Sequence, residues 1–99
     1  MEIIKELNKD ELVLKVVGEV NSTNYQELEN EVNKISSGVK SLAFDFAELE
    51  YLSSAGLRVL LISKKLMDGK KGKMVIRNAN PTVMEIFEIT GFSSVLDFE

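Results

Sequence analysis

Two hydrophobic periods alternate along this chain, and that alternation restricts its fold more than any other feature. Over Glu11–Val17 the apolar residues fall at every second position. Leu12, Leu14 and Val16 would line one face of a strand, with Val13, Lys15 and Val17 on the other, so both faces are expected to be largely buried. The period then lengthens: Tyr25, Leu28, Val32 and Ile35 fall on one stripe of a helix. Ser41–Phe46 returns to the short period, with Leu42, Phe44 and Phe46 alternating against Ala43 and Asp45. Leu57–Met67 is apolar around most of a helical circumference, Arg58, Ser63, Lys64 and Lys65 being the exceptions, and so predicts a deeply packed helix. Lys73–Arg77 reads as a strand, and Val83, Ile86, Phe87 and Thr90 mark the inner stripe of a third helix. Ser94–Phe98 is expected to form a last short strand. A weaker apolar run at 2–7, before the turn Asn8-Lys9-Asp10, completes a hairpin with the first alternating segment.

The resulting order is β-β-α-β-α-β-α-β. Alternating units of this kind predict one α/β domain over residues 1–99, with a mixed, mostly parallel sheet and helices packed on it. The first strand is expected to be an antiparallel edge, and sequence neighbours to be sheet neighbours. Local signals punctuate the pattern. Thr23-Asn24-Tyr25-Gln26 fits a capping box, with Thr23 at the helix start. Gly38 is placed to end that first helix, and Gly91 to end the third. Asn80 suits an N-cap and Pro81 the first helical position.

Composition removes whole classes of chemistry. The 99 residues include no cysteine and no histidine. That excludes a disulfide framework, a thiol nucleophile, Ser–His triads and nearly all zinc sites. No cofactor or metal site is expected. The acidic loop residues Asp45, Glu48 and Glu50 could attract a hard cation, but a solvated acidic loop accounts for them more simply. Lys70, Lys71 and Lys73 lack the spacing of a phosphate loop and read as a charged turn. A net charge of −4, from 12 basic and 16 acidic residues, argues against a duplex nucleic-acid binder. The longest apolar stretch, Leu57–Ile62, is interrupted by Arg58 and falls far short of the roughly 20 residues of a membrane span. The opening Met1-Glu2-Ile3-Ile4-Lys5-Glu6 does not resemble a signal peptide, so a cytoplasmic protein is expected.

The most unusual segment is Tyr51-Leu52-Ser53-Ser54-Ala55-Gly56-Leu57-Arg58-Val59-Leu60-Leu61. It passes from a loop after a strand into the apolar helix. The simplest account is structural: a serine caps the helix, and Ala55 and Gly56 let it pack closely. In a parallel sheet, however, such a loop opens at the carboxyl edge, where ligands bind. A hydroxyl there faces the positive end of a helix dipole, and a phosphate placed on it would find free N–H donors. The position suits phosphorylation. It suits catalysis poorly, because no histidine is available to activate the hydroxyl.

This segment resembles the phosphorylation motif of STAS-domain anti-sigma factor antagonists. Three further stretches match in order: Leu14–Asn21 resembles the family's second strand and turn, Ala43–Leu52 the strand and loop before the phosphosite, and Asn80–Phe92 the helix before the last strand. The resemblance covers nearly the whole chain. It implies a β-α superhelix and a non-enzymatic partner switch. The unphosphorylated protein would bind an anti-sigma factor that is also a serine kinase, freeing a sigma factor for transcription. The kinase would release itself by phosphorylating the protein with ATP, and a metal-dependent serine/threonine phosphatase would reset it.

Carried over by position, the resemblance makes Ser54 the phosphoacceptor. Ser53 falls where many members have aspartate, which leaves it as a competing acceptor. Asn21 stands where some members have aspartate. The expected partner surface joins Asn21, Ser22 and Thr23 to Ser53, Ala55, Gly56, Leu57 and Arg58. The family's frequent last helix has no counterpart before Glu99. Two other readings stand beside this one: a STAS adaptor of a transport or sensory complex that is never phosphorylated, and a small nucleotide-hydrolysing enzyme. The latter has against it the absence of histidine, cysteine and a nucleotide loop.

Overall fold

The computed structural model describes all 99 residues. Its longest strand, β2 (Glu11–Val20), organises the sheet. β1 (Glu2–Asn8) pairs with it antiparallel, from Glu2↔Val17 to Asn8↔Glu11, across a turn in which Lys9 takes a left-handed φ of 59°. β3 (Ser41–Asp45) lies parallel on the other side of β2, and β5 (Lys73–Arg77) lies parallel beyond β3. The order β1-β2-β3-β5 makes β1 the antiparallel edge, as the alternation predicts.

Helices α1 (Tyr25–Asn33), α2 (Ser54–Gly69) and α3 (Pro81–Thr90) bury their apolar stripes in one core with the sheet. Leu12, Leu14 and Val16 of β2, Leu42 and Phe44 of β3, and Met74 and Ile76 of β5 supply the sheet's side of it. The opposite face is only partly covered: Val13, Lys15 and Val17 are half-exposed, so β2 is buried on one face and not on two. Aromatic rings carry the core from the sheet into α3. Phe44 lies 5.8 Å from Phe46, Phe46 stacks at 6.5 Å on Phe87, and Phe98 meets Phe87 edge-on at 5.1 Å.

Five local expectations are corrected. A fourth parallel strand, β4 (Leu49–Leu52), occupies the segment read as a loop, and it pairs with the far end of β2 once β3 has ended. The expected last strand is a single turn of 3-10 helix (Phe92–Ser94) followed by one bridge, Ile76↔Phe98. Gly91, at φ 82°, stops α3 as expected, and the pairing that follows is limited to the Ile76 N–H donating to the Asp97 carbonyl and the Glu99 N–H donating to the Ile76 carbonyl. The N-cap of α1 is Asn24, not Thr23, and Gly38 plays no part in its end, which comes at Lys34. Finally, α2 starts at Ser54 and runs to Gly69, longer at both ends than its apolar stretch. The caps of α3 agree with the sequence: the Asn80 side chain accepts the Val83 N–H at 2.9 Å, and Pro81 opens the helix.

Phe87 is fully buried and touches both other parts of the aromatic chain. Phe87→Ala is therefore expected to cost about 3–5 kcal/mol, read as a lower midpoint in guanidinium unfolding with an unchanged slope.

Candidate functional site

Strands β2 and β4 end side by side, and the site is built on that joint. Val20 and Leu52 are register partners, and both are buried. The next residue, Ser53, donates its N–H to the Val20 carbonyl at 2.9 Å and then leaves the sheet in an extended conformation (φ −78°, ψ 172°). It is the N-cap of α2: its hydroxyl accepts the Gly56 N–H at 3.3 Å and its carbonyl accepts the Leu57 N–H at 2.9 Å. Ser54 is the first helical residue and is exposed. Its hydroxyl makes no hydrogen bond within the domain, and neither its own N–H nor that of Ala55 has an acceptor. The capping serine is thus Ser53, and Ser54 is left free.

Gly56 sets how closely the helix approaches. A Cβ there would lie 2.5 Å from Leu52 Cδ1 and 2.9 Å from Val20 Cγ1, inside any allowed contact. Lacking one, α2 settles directly on the two strand ends. Leu57 is buried beside it, Ala55 is half-buried, and Arg58 is exposed one turn on from Ser54 and on the same helical face. Gly56 and Leu57 therefore shape the site from beneath, while Ser54, Ala55 and Arg58 form its accessible part.

The turn after β2 forms the neighbouring wall. Asn21 Oδ1 accepts the Thr23 N–H at 2.9 Å, the Thr23 hydroxyl at 2.7 Å and the Asn24 N–H at 3.1 Å. Asn24 reciprocates, its Oδ1 accepting the Asn21 N–H at 2.8 Å. Thr23 lies one residue before the helix cap, Asn24, and its hydroxyl donates to the Asn21 side-chain carbonyl within the turn. Asn21 is half-buried, and Ser22 and Thr23 are exposed. The structure brings Asn21–Thr23 and Ser53–Arg58 together at one end of the sheet through the Ser53–Val20 hydrogen bond.

The acidic residues are distributed differently from their sequence cluster. Asp45 accepts the Ala47 N–H at 3.0 Å and the Asn78 amide at 3.1 Å, and Glu48 forms an ion pair with Lys15 at 2.7 Å. Asp45 ends β3 and Glu48 immediately precedes β4, so both lie outside the turn and helix start that carry Ser54. The hydrogen bond to Glu48, and then its charge, hold the Lys15 pKa above its ordinary 10.5. This pair contributes at pH below that value and is lost as pH rises through the raised one. Glu50 is the one of the three that lies within β4, where it is exposed. The sequence reading missed Glu19, whose carboxylate accepts the Asn21 amide at 2.9 Å; only the β2–β4 pairing reveals its place. No group of three acidic side chains converges in a way that could hold a metal ion.

Comparison with known proteins agrees with this architecture. The STAS domain model matches residues 2–99. The chain belongs to the STAS domain family. It is 39% identical over 85 residues to BtrV of Bordetella bronchiseptica, a protein carrying the name of an anti-sigma factor antagonist, covering 85% of this chain and 73% of that one. It is 26% identical to the anti-sigma-B factor antagonist of Listeria monocytogenes, over 97% of this chain and 85% of the relative. The fold of this STAS domain matches that of the anti-sigma factor antagonist SpoIIAA in its unphosphorylated form, with a TM-score of 0.85 at 17% identity over 99% of this chain and 88% of SpoIIAA. The phosphorylated form of the Bacillus protein matches at a TM-score of 0.77 and 16% identity, over 99% of this chain and 91% of that one. No helix of this domain is long and apolar enough to cross a membrane.

The two serines should separate cleanly by stability. Ser53→Ala removes the cap and is expected to cost about 1 kcal/mol, whereas Ser54→Ala should stay within about 0.5 kcal/mol. Gly56→Ala forces the helix off the strand ends and is expected to cost about 1–3 kcal/mol. Urea unfolding of the three variants checks this order.

Proposed function

We propose that this STAS domain is an anti-sigma factor antagonist, a binding switch and not an enzyme, with Ser54 as its phosphoacceptor. The observation that carries the reading is the free, exposed Ser54 hydroxyl at the first position of α2, beside a neighbour already committed to capping. The likeness to proteins named as antagonists supports the same function. In this reading the unmodified domain binds an anti-sigma factor that is also a serine kinase, in the cytoplasm. The contact surface is Ser54, Ala55 and Arg58 with Asn21, Ser22 and Thr23, supported from below by Ser53, Gly56 and Leu57.

The switch works by charge. A phosphoserine carries about −1.5 to −2 charges at neutral pH. Within the domain it meets the free Ser54 and Ala55 amides and the positive end of α2, so the fold tolerates it. A partner instead faces a bulky anion added to a surface that already presents Glu19 and Glu50. Burying that charge without a cationic mate costs several kcal/mol, enough to lower affinity at least tenfold. A serine/threonine phosphatase restores the neutral hydroxyl.

Incubation with the serine kinase and ATP is expected to add one phosphate, mapped to Ser54 by peptide sequencing and absent from Ser54→Ala. Calorimetric titration should show the phosphorylated protein binding the kinase at least tenfold more weakly, with Ser54→Asp reproducing part of the loss. Circular dichroism should be unchanged by phosphorylation. A phosphate mapped to Ser53, or equal affinities, would refute the reading.

A further inference from the structure

The β2–β4 pairing contains an irregularity with a consequence for recognition. Gly18 pairs with Leu49, but its neighbour Glu19 pairs with Tyr51, so Glu50 is an extra residue and β4 bulges there. In an uninterrupted ladder Tyr51 would oppose Val20 and point into the core, and Leu52 would turn outward. The bulge reverses this: Leu52 is buried under Gly56, and Tyr51 stands 48% exposed on the other face. The left-handed φ of 94° at Gly18, whose N–H donates to the Glu48 carbonyl at 2.9 Å, accommodates the irregularity on the facing strand. No hydrogen bond within the domain uses the Tyr51 hydroxyl, and no aromatic pair engages its ring.

We propose that Tyr51 is the aromatic anchor by which the serine-kinase anti-sigma factor grips this domain, filling an apolar pocket whose rim carries a cationic group facing Glu19 and Glu50. This rests on the function proposed above. Two observations commit the ring to that partner. The first is reach. Tyr51 lies three residues before Ser54, so their Cα atoms are at most about 10–11 Å apart. A stable interface covers about 800 Å² on each partner, a disc of about 16 Å radius, so an interface centred on the Ser54 hydroxyl is wide enough to take in Tyr51. The second is continuity. Tyr51 opposes Glu19, and the Glu19 carboxylate holds the Asn21 amide of the turn that forms the other wall of the site. Tyrosine supplies a large, rigid contact area, and anchors of this kind dominate binding energy where a rim of charges excludes water. The two carboxylates set the complementary charge of that rim.

Titrating the full-length serine kinase with the unmodified domain and three variants tests this. Tyr51→Ala is expected to weaken binding at least tenfold and to raise KM for phosphorylation of Ser54 with kcat little changed, because the ring binds without touching the reacting atoms. Tyr51→Phe should bind like the native protein, since the hydroxyl makes no bond that orients it. Ile89→Ala, at a 77% exposed position on α3, should change nothing. Circular dichroism and urea unfolding should report all three variants folded. Native-like binding by Tyr51→Ala, or a larger loss from Ile89→Ala, overturns the anchor while leaving the Ser54 switch intact. A native domain that neither binds the kinase nor is phosphorylated by it overturns both.

Discussion

Everything at the functional end of this domain hangs on one close contact, the seating of Gly56 against Val20 and Leu52. Without a Cβ, the first turn of α2 rests directly on the ends of two parallel strands. That contact fixes where the helix begins, and so which serine caps it and which is left over. It also brings the turn after β2 next to the helix start, because the Ser53 N–H that closes the joint bonds the last carbonyl of β2. A larger residue at position 56 would lift the helix and loosen all three relations at once.

The joint divides labour between adjacent serines. Ser53 spends its hydroxyl on the Gly56 amide and its carbonyl on the Leu57 amide, so it is a structural group held in one geometry. Ser54 has the same chemistry and none of these obligations. A modification there changes surface charge without removing a bond the fold uses. The core, meanwhile, is anchored elsewhere, by the aromatic chain from Phe44 to Phe98 and by the buried face of β2. A group added at Ser54 would alter the surface and leave the folded state as it was.

Much of this was legible in the residues, and the parts that were not have a common cause. Strands β2, β3 and β5 and the inner stripes of the helices announce themselves because each packs a face of large apolar side chains into the core, and that burial imposes a period. Asn80-Pro81 and Gly91 are legible because cap and stop chemistry is local. The Ser53-Ser54 segment stood out through its place between a strand and an apolar helix, while the choice of Ser54 over Ser53 came from the family resemblance. The Thr23 capping box failed because the helix starts one residue later, with Asn24 as its N-cap, and short polar side chains offer the backbone several alternatives. The Ser94–Phe98 strand failed because Phe92–Ser94 coils into a 3-10 turn and β5 pairs with the remainder at a single bridge. Glu19 was invisible because its neighbour is set by pairing between strands far apart in sequence.

Strand β4 is the most informative omission. Its Leu-Glu-Tyr-Leu sequence shows neither period, burying its two ends and exposing its two middle residues. A regular four-residue strand would alternate; this one cannot, because the bulge at Glu50 shifts its second half by one position relative to β2. Leu52 needs that shift to lie beneath Gly56, and Tyr51 is turned outward by the same displacement. The local break in pattern that hides the strand from a periodicity reading is therefore the feature that seats the helix and shapes the surface around Ser54. Where a segment is selected to build a site as well as to fill a core, its side chains answer to two surfaces, and the regular alternation of a purely structural strand is the first thing to be lost.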